Sequence, residues 1–273
     1  MSEEKKKKHK KKNRFASFFL TLGIIVCVGV IGYSGYKLIT TWLEYREGDQ
    51  EYARLREYTE AQVPEEEDEE LVFTEGDEDN LFSRRKPPLS VNWKSLKNIN
   101  KDIVGWLYIG SLDISYPVVH GKDDDFYLHR TFEKQDNFAG SIFVEADNRG
   151  DFTDPNTIVY GHNMLNGSMF GKLSDLTDKQ KYKEDPYFWI LTPKGNYRYR
   201  MVSIHVTGVT SEVYTLFGQP DQEFVDWCYD MKSKSTVEIQ DEVFSQKSRI
   251  VTLSTCTGDS RTRYVVQGLA VKD

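Results

Sequence analysis

Apolar and polar positions divide this chain of 273 residues into stretches of different periodicity. Residues 15–36 are 22 positions without a charge, mostly apolar or small. That length is close to the ~20 residues a helix needs to cross a bilayer. Residues 41–59 mix Glu, Arg and Tyr and suit a helix continuing away from the span, and 64–79 have no apolar period at all. From Val91 onward the pattern turns globular: Trp93, Leu96 and Ile99 at helical spacing predict an N-terminal helix. Runs rich in β-branched and aromatic residues follow at 106–109, 114–119, 141–145, 157–160, 188–191, 197–206, 250–255 and 264–271, with Gly, Pro, Asn and Asp turns between them. Helices are expected near 173–183 and 221–232. The pattern predicts a mainly β domain, a closed, antiparallel-rich barrel of about eight strands, preceded by one transmembrane helix.

Charge sharpens these boundaries. The formal net charge is −7, yet residues 1–14 carry seven Lys and one Arg against two Glu, whereas 44–80 carry sixteen acids against three Arg. The remainder is nearly neutral, with no basic face for nucleic acid. By the positive-inside rule the Lys-rich arm keeps the N-terminus cytoplasmic and leaves the rest outside. Within the span, Gly29, Gly32 and Gly35 interleave with Ile31, Tyr33 and Tyr36, which disfavours signal cleavage, so an uncleaved, single-pass membrane anchor is expected. The acidic run reads as a solvated tether, since it lacks the ligand spacing of a calcium loop. The expected organisation is a basic cytoplasmic arm (1–14), a transmembrane helix (15–36), an extracellular acidic linker (37–80) and a catalytic domain (81–273), and a chain starting near Leu81 is expected to fold and work in solution.

Candidate chemistry sits at strand ends. The run Ile250-Val251-Thr252-Leu253-Ser254-Thr255 finishes on Cys256, Arg263 opens the last run, and Thr157-Ile158-Val159-Tyr160-Gly161 finishes on His162. Thiol-based acyl transfer needs a nucleophile, a proton donor for the leaving amine, and positive charge or N–H donors for the oxyanion. Cys256, His162 and Arg263 supply those types, with Arg261 in the loop as the alternative guanidinium. His9, His120, His129 and His205 have ordinary explanations in the basic arm, in a charged loop or within a strand. Cys27 falls in the span. Cys228 shares a helical face with Phe224, Trp227 and Met231 and is expected to pack in the core, although a Cys228–Cys256 disulfide is the ordinary alternative for a secreted pair.

The segments TLSTC at 252–256, the Arg-aromatic-Val-Val run from Arg263, NTIVYGH at 156–162 and GSIFVEADN at 140–148, with a long insertion between the last two strands, together resemble the sortases, class B most closely. The resemblance spans roughly residues 90–273. It implies a sortase-type barrel with a helix between the last two long strand segments. It also implies a membrane-anchored transpeptidase of Gram-positive bacteria that cuts the C-terminal sorting motif of a surface protein after Thr. Cys256 would form the thioacyl intermediate, His162 would shuttle the proton and Arg263 would hold the substrate backbone and oxyanion. Ser254 and Thr255 would line the groove, and the acceptor would be a peptidoglycan cross-bridge or pilin amine. No metal or cofactor is implied. The end at Lys272-Asp273, without a sorting motif, is expected of the enzyme and not of its substrate. Two other classes stay open on the residues alone: a secreted cysteine endopeptidase resolved by water, and a non-enzymatic surface β-domain.

Overall fold

The computed structural model describes residues 2–62, 82–83 and 85–272, with side chains from residue 17 onward. Helix α1 (Ser2–Arg56) runs through the apolar stretch without a break. Its portion from Ser17 onward contains the one segment among the described residues long and apolar enough to cross a membrane. The acidic runs at 64–70 and 75–79 lie outside the described residues.

Gly48 onward forms one compact unit. Short strands β1 (Thr59–Ala61) and β2 (Leu89–Val91) pair antiparallel. Helix α2 (Trp93–Ile99) follows, capped by the Asn92 side chain, which accepts from Ser95 N at 3.1 Å. The barrel strands are β3 (Ile103–Ile109), β4 (Ile114–His120), β5 (Ile142–Val144), β6 (Asn156–Tyr160), β7 (Tyr187–Leu191), β8 (Asn196–Gly208), β9 (Ile250–Cys256) and β10 (Thr262–Val271). They close in the order β10-β8-β7-β3-β4-β5-β6-β9. Pairing is antiparallel except for β4 with β5 and β6 with β9. All eight expected strands are present, and the helical interruption near 173–183 is a 3₁₀ turn (Leu173–Thr177) followed by α3 (Lys179–Glu184).

The long insertion carries α4 (Gln222–Ser233) but belongs one connection earlier than expected, between β8 and β9; β9 and β10 are joined only by the loop 257–261. Asp221 caps α4 by accepting from Phe224 N at 3.2 Å. The helix buries Phe224, Trp227, Cys228 and Met231 against Val202, Ile250, Val265 and Leu269 of the barrel. Cys228 is a free thiol in this core, and burial pushes it up to about 12, which makes it unreactive.

The linker expected over 37–80 differs from the structure at its start. Residues up to Arg56 are helical, and Glu51, Tyr52 and Leu55 are buried in the domain, Leu55 completely. Arg56 donates to Ser115 O at 3.2 Å and lies over the Tyr116 ring at 5.3 Å. The many charges of this stretch hide an i, i+3 face that suffices to dock one helix end. A chain starting at Gly48 is therefore expected to melt like the intact domain, whereas a start at Leu81 removes Tyr52 and Leu55. Burial of two such side chains is worth about 4 kcal/mol or more, a large part of a total stability of about 5–15 kcal/mol. Thermal melting of the two chains checks this; equal midpoints would show that residues 48–61 contribute nothing.

Candidate active site

Strand alternation puts the three predicted residues on one face. Cys256 and Arg263 are direct cross-strand partners in the β9–β10 ladder, so their side chains share a face with Cβ atoms about 4.5–5.5 Å apart. In the parallel β6–β9 ladder Tyr160 is opposite Ser254. His162 and Cys256 each lie two residues further on, hence on the same face as that pair and as each other. The Gly161 N–H donates to Ser254 O at 3.2 Å, extending the pairing up to His162. A side chain at Gly161 would come within 2.4 Å of Ile142 and 2.8 Å of Phe170, so only glycine lets the strand end lie this close to the barrel wall.

His162 is half-buried, and its Nε2 lies 2.7 Å from the Leu128 carbonyl. A carbonyl only accepts, so Nε2 carries hydrogen and Nδ1 is the ring atom left for proton exchange. The loop after His162 is tied back by Phe170 N to His162 O at 2.9 Å and by an Asn163–Met169 bridge. Asn163 Nδ2 donates to Cys256 O at 2.7 Å, fastening the imidazole loop to the end of β9.

The two arginines have different surroundings. Arg263 is half-buried and donates through one nitrogen to Ser260 O and Thr262 O, both at 3.0 Å. Its other N–H groups make no bond to the described residues and stay available to a substrate carbonyl or oxyanion. Arg261 is exposed and binds Asp259 within its own loop, at 2.9 and 3.2 Å. This pairing holds the Asp259 carboxyl below its ordinary value.

Ser254 shares the Cys256 face but is buried, its hydroxyl 2.9 Å from Tyr214 OH. Thr255, on the opposite face, borders a cavity of about 260 Å³ with Phe170, Val206 and Tyr264, which reaches Asn163 and Cys256 at the strand end. A larger cavity of about 540 Å³, among Phe82, Phe152, Tyr197 and Arg249, lies at the start of β9, about 20 Å along the strand from the thiol. Among the described residues no cluster of three or more His, Cys, Asp or Glu is arranged to hold a metal.

Several residues at the site carry no sequence signal. Tyr214 stacks on Tyr160 with centroids 6.4 Å apart, and burial raises its phenol while the Ser254 hydrogen bond and Arg263 oppose the rise. Asn156, fully buried, donates to the carbonyls of Val213 and Thr215, both at 3.1 Å, and so fixes the Tyr214 turn to β6. Trp227 of α4 donates to Glu212 O at 2.8 Å and braces the same turn. His120 also ends a strand. However, β4 runs counter to β6, so His120 lies at the other end of the barrel, 3.3 Å from Ala146 O. His205 is buried in β8, bonded through Nδ1 to Ser203 at 2.9 Å, and burial followed by the Lys234 charge lowers it to about 4.

Behind Tyr160, Glu145 accepts the phenol hydrogen at 2.6 Å. Burial first, then the hydrogen bond with Asp124, raise its carboxyl to about 7. A carboxyl raised on folding costs nothing below pH 4.5, where both states are protonated; the cost grows as pH climbs from 4.5 to about 7 and keeps its full value above that. Glu145→Gln, which keeps an acceptor for Tyr160, is expected to raise the melting temperature by about 2–4 °C at pH 8. The gain should vanish near pH 4; calorimetry at both pH values checks this, and an unchanged midpoint at pH 8 would refute it.

The Sortase domain family matches residues 107–271. Sortase B of Listeria monocytogenes is 37% identical over 183 residues, covering 65% of this chain and 73% of that protein. The crystal structure of sortase B from B. anthracis superposes with a TM-score of 0.66 at 29% identity, covering 85% of this chain and all of that one. The Staphylococcus aureus sortase B–substrate complex gives a TM-score of 0.62 at 31% identity, covering 66% of this chain and 84% of that one. With a sortase domain over most of its barrel and sortase B relatives at this similarity, the chain belongs to the sortase family, in its class B branch, and is a cysteine transpeptidase that serves surface-protein anchoring.

Proposed function

We propose that this enzyme, held in the membrane by α1 with its N-terminus cytoplasmic and its barrel outside, cleaves the sorting motif of a surface protein after Thr and joins the Thr carbonyl to a cell-wall or pilin amine. The observation that carries the reading is the placement of Cys256, His162 and Arg263 on one face at one end of the barrel. The Cys256 thiolate attacks the Thr carbonyl carbon, and the oxyanion that forms lies against the free N–H groups of Arg263. Collapse breaks the C–N bond, His162 gives its proton to the departing amine, and a thioester remains. The acceptor amine then loses a proton to His162 as it attacks, and the C–S bond breaks to release the Cys256 thiolate. Tyr214 and Tyr160 line the approach to the nucleophile over the buried Ser254, with α4 behind them.

Mass spectrometry of a sorting-peptide library incubated with the enzyme and candidate amines tests the reading. Peptide ending in Thr and joined to an amine is the expected product. Hydrolysed peptide alone, at saturating amine, would replace the transpeptidation by a water-resolved cleavage.

A further inference from the structure

Two backbone segments contact the His162 ring, and both lead back to the end of α1. The first is the Leu128 carbonyl that accepts from Nε2. The second is Gly140, whose backbone is left-handed at φ +57 and where a Cβ would lie 2.5 Å from Leu128 O and 3.1 Å from His162 Cδ2. The peptide between Gly140 and Ser141 touches one side of the ring's support and bonds the other: Ser141 N–H donates to Tyr127 O at 2.9 Å, and Ser141 Oγ donates to Arg130 O at 2.8 Å. What fixes this peptide from outside is Tyr52. Its side chain is buried, stands edge-on to Tyr116 at 5.3 Å, and donates its hydroxyl to Gly140 O at 2.6 Å. On the other side of the histidine, Asp49 accepts from Asn166 Nδ2 at 3.0 Å, and Tyr116 OH accepts from Met169 N at 3.0 Å.

We propose that Tyr52 is a positioning residue for transpeptidation: its hydroxyl pins the 140–141 peptide that packs on the imidazole edge and anchors the 127–130 segment, whose Leu128 carbonyl orients the ring. Asp49 supports the same arrangement through the loop after His162. Burial raises the Tyr52 phenol far above working pH, so it remains a donor throughout. Tyr52 never reaches substrate. Its effect falls on the aim of Nδ1, where a displacement under 1 Å costs rate and leaves peptide binding in place.

The inference rests on His162 as the proton shuttle, and its test separates the two. In the full chain in detergent micelles, Tyr52→Phe removes one oxygen and keeps the ring packed on Tyr116. It is expected to lower kcat about tenfold, leave KM for the sorting peptide within about twofold, displace the pH profile of kcat, and shift the ¹⁵N resonances of the His162 ring. Tyr182→Phe, which removes a buried tyrosine-to-carbonyl bond to Met201 elsewhere in the barrel, should change none of these. Asp49→Ala, at an exposed position, should lower kcat about two- to threefold. A kcat or His162 resonances like those of the parent in Tyr52→Phe would overturn the assignment, as would equal losses in Tyr182→Phe. His162→Ala with parent activity would instead remove the proton-shuttle role, while the resonance shift still decides whether Tyr52 positions the ring.

Discussion

Cys256→Ala is expected to abolish transpeptidation, lowering turnover by about 10⁴- to 10⁶-fold, as removal of a covalent nucleophile does elsewhere. The thioacyl adduct, visible by mass spectrometry when the parent is mixed with sorting peptide and no amine, should be missing. The fold should persist, because Cys256 ends β9 half-exposed and its strand pairing uses backbone atoms alone. In a chain starting at Gly48, which lacks Cys27, a thiol-directed vinyl sulfone should label the parent once under native conditions and the variant not at all, since Cys228 is buried and its thiol is held protonated. Retention of even a hundredth of the parent turnover would remove Cys256 as the nucleophile.

Arg263→Lys is expected to lower kcat/KM about 10²-fold or more while Arg261→Lys stays within about twofold of the parent. Both substitutions preserve charge, so the contrast isolates geometry. Arg263 uses one nitrogen on the carbonyls of Ser260 and Thr262 and keeps the rest of its planar fork on the Cys256 face. A lysine has a single nitrogen and cannot both hold the loop and meet the oxyanion. Arg261 is committed to Asp259 in an exposed loop, a pair worth little in water. Steady-state kinetics on the two variants decides it. A crippled Arg261→Lys beside a healthy Arg263→Lys would move the oxyanion role into the loop.

Much of the barrel was legible because its strands are short β-branched runs ended by turn residues, and because TLSTC and NTIVYGH stop on Cys256 and His162, the residues proposed to carry the chemistry. Three things were not legible. The docking of Gly48–Arg56 was hidden because Tyr52 and Leu55 sit among eight or more charges, and composition outvotes a two-residue face. Asn163 and Asn156 act through bonds to carbonyls of distant segments and Tyr214 through the Ser254 hydroxyl, and single polar contacts of this kind carry no period to betray them. Which end of the barrel a strand-terminal histidine occupies depends on strand direction, so His120 and His162 look alike until the pairing is known.

The parallel pairing of β6 with β9 governs when the enzyme can first work during folding. Residues 160 and 254 become neighbours only after everything between them has been made. Such non-local parallel contacts form slowly, because loop closure must be met before any ladder bond returns free energy. An emerging chain therefore carries its imidazole long before its thiol, and the thiol joins it only when β9 slots between β6 and β10. Activity is a late event of folding, and turnover of sorting peptide should appear with the closing of the barrel, not with its collapse.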